Sequence, residues 1–272
     1  MHIIDGKALA ARIKHDLVSE VRALAKVPRL NVLLVGNDAA SRLYVNLKKQ
    51  AGVETGIQVH VEEKPATSSQ AELEAIIDAW NQDPAVNAIL IQLPLPINFD
   101  THALINRIAL TKDADGFHPN NPNPLSPLHE GILRLISQTP LRLAGAQGVI
   151  VANSEIFANP LKHILQTGGV SVDVMHPDEL NKSRMQEADL IISAVGRPEY
   201  LPASWVKDNA VLIDVGTTKV DGKTIGDFER SSIENTDCWL TPVPGGVGPM
   251  TVALLLKNVY QLTKQSSSRV AV

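Results

Sequence analysis

Apolar positions along the chain follow two alternating periods, and the alternation predicts helix and strand in turn. Leu9, Ile13, Leu17, Val21 and Leu24 recur at helical spacing, and the run Leu30-Asn31-Val32-Leu33-Leu34-Val35 that follows has β character and stops at Gly36. A helix beginning near Asp38 or Ser41 comes next, then a strand over Gln58 to Glu63. Ser69-Gln70-Ala71-Glu72 has the form of a capping box and predicts a helix to about Asn81. Ala88-Ile89-Leu90-Ile91-Gln92-Leu93 is apolar enough for a parallel strand buried on both faces. Turn-forming residues crowd Asn120 to Pro127 and make the best domain boundary. Beyond it, Gly148 to Ala152, Ser171 to Met175, Leu190 to Ala194 and Val211 to Val215 read as four short strands of a second parallel α/β unit. A last helix is expected over about 249–265, with Gln265-Ser266-Ser267-Ser268 onward frayed.

Composition narrows the function classes. A chain of 272 residues with 44% hydrophobic content has room for two modest cores. Its formal net charge of −4 gives no broad cationic field, which argues against nucleic acid or an anionic membrane as partner and leaves a small-molecule site. The single cysteine, Cys238, fits a reducing compartment and a cytoplasmic location. Met1-His2-Ile3-Ile4-Asp5-Gly6 lacks the pattern of a secretory leader, and no apolar run approaches the about 18 residues of a membrane span. With no Gly-Lys-Ser/Thr loop, His-Glu-x-x-His pair or cysteine cluster, no metal is expected.

Several residues carry candidate chemistry. Tyr44 and Lys48 are spaced i, i+4, which places phenol and ammonium on one helix face; the pair serves either one site or a solvated surface. Gln92 stands where an apolar strand ends before Pro94, the end at which parallel sheets bind ligands, or else caps backbone there. Asp115 precedes Gly116 in a loop, where its carboxylate either accepts paired N–H donors from a heterocycle or closes an Asx turn. His118 beside it reads as a turn hydrogen-bonder. Thr241-Pro242-Val243-Pro244-Gly245-Gly246-Val247-Gly248-Pro249-Met250-Thr251 is either a tight turn or a wall of backbone amides against a flat ligand, and it runs into a helix start.

Taken in order, Tyr44-Val45-Asn46-Leu47-Lys48, Gln92-Leu93-Pro94-Leu95-Pro96, Lys112-Asp113-Ala114-Asp115-Gly116-Phe117-His118-Pro119 and the Gly/Pro loop resemble the methylenetetrahydrofolate dehydrogenase/cyclohydrolase family. The resemblance implies a two-domain α/β fold. A folate-binding catalytic domain would span 1–122 and 249–272, with the C-terminal helix returning to it, and a Rossmann-like dinucleotide-binding domain 123–248. It implies oxidation of 5,10-methylenetetrahydrofolate with NADP, then hydrolysis of the methenyl product to 10-formyltetrahydrofolate, in a homodimer. It implies that Lys48 is the general acid/base, that Gln92 supports it, that Tyr44 packs on the folate ring and that Asp115 binds the pterin. Ser41, Pro244, Gly245, Gly248 and Pro249 would complete the folate pocket, and Ala152, Asn153, Ser154, His176 and Thr217 would contact the dinucleotide.

The dinucleotide motif departs from the family pattern. Two alanines, Ala152 and Ala158, replace glycines, and their Cβ atoms are expected to restrict the approach of a pyrophosphate, with Glu155 adding negative charge. Asn159 and Pro177 stand where arginine or serine commonly helps bind the 2′-phosphate of NADP. Asp178 either accepts a ribose 2′-hydroxyl, pointing to NAD, or caps a helix. Ser126-Pro127-Leu128-His129-Glu130-Gly131 also differs, after a shortened loop, and Thr217 replaces a common isoleucine. These departures motivate an alternative: a cyclohydrolase alone, or a noncatalytic folate-binding paralogue that has lost dinucleotide binding.

Overall fold

The computed structural model describes residues 1–121 and 126–270, with side chains as far as residue 266. In chain order the first elements are β1 (His2–Ile3), α1 (Gly6–Arg22), β2 (Arg29–Val35), α2 (Ala39–Thr55), β3 (Gln58–Lys64), α3 (Gln70–Gln82), β4 (Ala88–Ile91) and α4 (Thr101–Arg107). There follow α5 (Pro127–Ile136), β5 (Gln147–Ala152), α6 (Glu155–Thr167), β6 (Ser171–Met175), α7 (Lys182–Glu187), β7 (Leu190–Ala194), β8 (Val211–Asp214), β9 (Thr218–Val220), β10 (Lys223–Ile225), α8 (Arg230–Ile233), β11 (Trp239–Leu240) and α9 (Val247–Val270). The chain divides into two units, residues 10–127 with 252–272 and residues 1–9 with 128–251. The expected boundary after residue 122 lies outside the described residues.

The first unit is built on a parallel sheet ordered β3-β2-β4. Both faces of its central strand are buried, so β2 reads as a continuous apolar run. Leu30, Val32 and Leu34 pack with Leu17 and Val21 of α1 and with Val252, Leu255, Leu256 and Val259 of α9. Leu33 and Val35, on the opposite face, pack with Leu73 and Ile77 of α3 and with Leu104 and Ile105 of α4. Beyond β4, Asp113 forms a further parallel bridge to Ile89, which fixes the loop after α4 to the sheet edge. The Asn258 amide donates to the Ala114 carbonyl at 3.1 Å, so α9 also ties down that loop.

The second unit carries a six-stranded parallel sheet ordered β1-β11-β8-β7-β5-β6, with the Rossmann-like β5-α6-β6 crossover at one edge. Val149, Val151, Ile191 and Leu212 fill one face with Leu201, Phe228 and Leu240.

Two expectations change. The N-terminal nine residues belong to the second unit, because β1 pairs in parallel with β11 through His2–Trp239 and Ile3–Leu240. The segment from Gln265 to Val270 stays helical as the end of α9.

Candidate active site

Helix α2 starts where Asp38 accepts the Ser41 N–H at 2.7 Å and ends at Gly56, whose left-handed backbone (φ 79°) returns its N–H to the Gly52 carbonyl. Its buried stripe runs through Ser41, Val45, Lys48, Gly52 and Thr55. A lysine on such a stripe is unusual, since an ammonium loses its water there without an apolar gain. Lys48 is only 6% exposed, and its Nζ donates to Gln92 Oε1 at 2.7 Å. Gln92 follows β4 directly and is itself held, its Nε2 donating to the Leu93 carbonyl at 2.7 Å and its backbone N–H to Leu33. Burial pushes the Lys48 amine below the ordinary lysine range, and the charge of Asp115 works against that push.

Asp115 lies in the 113–117 loop, against a small cavity lined by Ile91, Leu93, Ile108, Asp113 and Phe117. Burial raises its carboxyl to about 6; the Lys48 charge opposes this rise and Asp113 adds to it. The turn-closing role lies with another residue. Asp113 accepts the Gly116 N–H at 3.0 Å, the His118 N–H at 3.1 Å and the Asn121 amide at 2.9 Å, which leaves Asp115 free of that duty. Sequence reasoning missed Asp113, although the Asp-x-Asp-Gly spacing carried the signal that one carboxylate builds the turn and the other is presented by it. His118 bonds as expected, its Nδ1 accepting the Asn120 N–H at 3.1 Å.

Tyr44 lies one turn before Lys48 on α2 and is half-buried. The buried Ser41 hydroxyl makes no hydrogen bond of good geometry among the described residues. It nevertheless stands close enough to Asp38 to help the Ser41 backbone N–H hold that acid below its usual range. Lys48, Gln92, Tyr44, Asp115 and Ser41 thus belong to one unit. Pro244, Gly245, Gly248 and Pro249 belong to the other. There Gly246 approaches Gly6 so closely that a Cβ on Gly6 would lie 2.0 Å from the Gly246 carbonyl oxygen, and Pro249 falls in the first turn of α9, where its missing N–H costs nothing.

Ala152 and Ala158 are 6% and 3% exposed, so their methyl groups are tucked into the protein rather than projecting at the start of α6. Ser154 stands at the N-cap of α6 without using its hydroxyl as a cap, which leaves hydroxyl and first-turn amides available to phosphate oxygens. The Asn153 amide donates to the Val195 carbonyl at 3.1 Å. His176 follows β6 and Thr217 follows β8, both exposed at the carboxyl ends of the strands. Asp178 does not cap a helix: Asn181 caps α7, and Asp178 pairs with Arg197 at 2.7 Å.

Residues 4–115 match the family model described as the tetrahydrofolate dehydrogenase/cyclohydrolase catalytic domain, and residues 126–267 that described as the NAD(P)-binding domain. The chain belongs to the tetrahydrofolate dehydrogenase/cyclohydrolase family. The bifunctional protein FolD of Halalkalibacterium halodurans is 40% identical over 277 residues, covering 97% of this chain and 99% of that protein. The bifunctional enzyme FolD of Campylobacter jejuni superposes with a TM-score of 0.92 at 35% identity, covering 97% and 99% of the two chains. The FolD of Trypanosoma brucei, solved with NADP cofactor and an inhibitor, gives 0.91 at 30% identity, covering 97% and 98%. The family makes this chain an enzyme of folate one-carbon metabolism with both activities, and the alternative of a paralogue without dinucleotide binding is not favoured.

Proposed function

We propose that Lys48 is the proton-transferring group of methenyltetrahydrofolate hydrolysis and that Gln92 positions it, within an enzyme that first oxidises 5,10-methylenetetrahydrofolate. One observation carries the reading: a buried lysine nitrogen 2.7 Å from a carboxamide oxygen that is itself anchored to backbone. An amine whose pKa is lowered by burial supplies a neutral base nearer to working pH than a surface lysine does. In that form Lys48 takes a proton from the water attacking the methenyl carbon and delivers one to the ring nitrogen as its bond to that carbon breaks. The second water proton leaves to solvent as the formyl carbonyl forms. Gln92 restricts the amine to one direction, Asp115 recognises the pterin edge, Tyr44 packs on the folate ring, and Ser41 offers its hydroxyl.

NADP supplies the hydride acceptor when bound. On this reading Ser154 and the first-turn amides of α6 hold its phosphates, while His176 and Thr217 meet it from the carboxyl ends of β6 and β8. The family resemblance further supports a homodimer, which sedimentation of the purified chain tests, and the buried Cys238 is in keeping with a cytoplasmic location. No described helix is long and apolar enough to cross a membrane.

Replacing Lys48 with methionine tests the assignment. Methionine fills a similar volume without an ammonium, so the fold should persist. Hydrolysis of the methenyl substrate should fall by about 10²–10⁴-fold, the usual weight of general acid–base catalysis. Unchanged hydrolysis in a folded K48M protein removes Lys48 from the mechanism.

A further inference from the structure

A charged cluster stands at the carboxyl ends of β6 and β7, and its Arg197 and Asp178 remain outside the roles given so far. Arg197 follows β7, and its Nη2 lies 2.7 Å from Asp178 Oδ1, beyond the end of β6. The guanidinium lies over the Tyr200 ring, with its Cζ 5.4 Å from the ring centroid, and the Tyr200 hydroxyl donates to the Pro177 carbonyl. His176 Nδ1 accepts the Asp178 N–H at 3.3 Å. The base of this cluster is rigid: buried Asp227 accepts the Arg197 N–H at 3.0 Å, the Val195 N–H at 2.8 Å and the Ser193 hydroxyl at 2.7 Å. Its tip is open, with the Arg197 and Asp178 side chains 42% and 59% exposed.

In a parallel α/β sheet the end of the strand after the first crossover helix is where the adenosine ribose of a dinucleotide is read. A carboxylate there accepts the 2′-hydroxyl, and an arginine nearby takes the 2′-phosphate. Both groups stand here, paired with each other. Asn159 and Pro177 bring no charge to the same edge, whereas Arg197 presents a planar fork suited to phosphate. Asp178 already holds that fork with a carboxylate oxygen, as a phosphate oxygen would. We propose that Arg197 is the residue that selects NADP by receiving its 2′-phosphate, and that Asp178 is the displaceable counter-ion occupying the guanidinium until the cofactor arrives. An exposed ion pair holds weakly, so a dianion displaces the single carboxylate. Asp178 in turn favours a free 2′-hydroxyl, which makes the pair a two-sided discriminator between NADP and NAD.

The inference rests on the NAD(P)-binding reading of this unit, and equilibrium binding to the full chain separates the two. NADPH and NADH are titrated by fluorescence into the wild type and into R197Q, R197K and D178N. R197Q should weaken NADPH about tenfold or more, the scale of a lost hydrogen bond to a charged group, while NADH changes less than about threefold. R197K should fall between wild type and R197Q. D178N should tighten NADPH and weaken NADH, and 2′-AMP should compete with NADPH in the wild type but poorly in R197Q. Equal losses for both cofactors, or no loss for either, would overturn the role of Arg197. An unchanged preference in D178N would overturn the counter-ion role even if R197Q failed to fold. A wild type that binds neither dinucleotide would overturn the NAD(P)-binding reading as well.

Discussion

At the scale of the residue, the buried Lys48 amine and the half-buried Asp115 carboxyl act on each other. Burial alone lowers the Lys48 amine and raises the Asp115 carboxyl, and each partner's charge limits the other's shift. Asp115→Asn removes the negative charge but keeps the shape, so the Lys48 pKa should drop further. The pH profile of hydrolysis should then move to lower pH on its acidic limb, accompanied by a rise in KM for folate. A profile that stays in place while KM rises would leave Asp115 as a substrate contact with no hold on Lys48. Lys48 was legible as a candidate from its spacing to Tyr44. Its commitment to a site rests on the stripe Ser41, Val45, Lys48, Gly52 and Thr55, which places the lysine among buried positions.

At the scale of the element, the long strands and helices follow from local pattern. The helix over Gln70–Gln82 begins as its capping residues predict, Ser69 accepting the Glu72 N–H at 3.2 Å. Beyond α5 and α6, which the sequence left undivided among the connections of the second unit, the elements without an expectation are short: two-residue β1 and β11, the β9-β10 hairpin and the helices α4, α7 and α8. So few residues display no period, and their conformation is set by the sheet edge or loop they meet. Gly6 shows such a constraint. It opens α1, an ordinary place for any residue, yet a methyl group there would overlap the Gly246 carbonyl, and neither backbone has a rotamer with which to yield. Gly6→Ala should therefore cost about 2 kcal/mol or more in urea unfolding, whereas a helix propensity argument predicts a gain. A stabilised G6A protein would mean that the Gly/Pro loop moves aside easily.

At the scale of the whole molecule, buried acids couple stability to pH. Burial raises Asp214 to about 7; the backbone N–H groups of Phe228 and Asp227 oppose this and the Asp227 charge adds to it. The folded chain thus holds this proton more tightly than the unfolded chain, where the carboxyl titrates near 3.8. The resulting stabilisation is complete below the unfolded value and is lost as pH rises through about 7. Relative to D214N, the wild type should lose stability between pH 5 and pH 8, by on the order of a few kcal/mol at most. Urea midpoints for the two proteins checked at several pH values would reveal the slope, and parallel midpoints would show that Asp214 does not titrate in that range. The sequence alone determined the alternation of its long strands with helices and the family, and it singled out the amine proposed to react, because hydrophobic period, caps and side-chain chemistry are local properties. Tertiary structure decided that Asp113 closes the turn and Asp115 does not, that Ala152 and Ala158 hide their methyl groups, and that Asp178 meets Arg197 and not a helix end. Each of those outcomes depends on which surfaces lose water together, and residues far apart in the chain set that jointly.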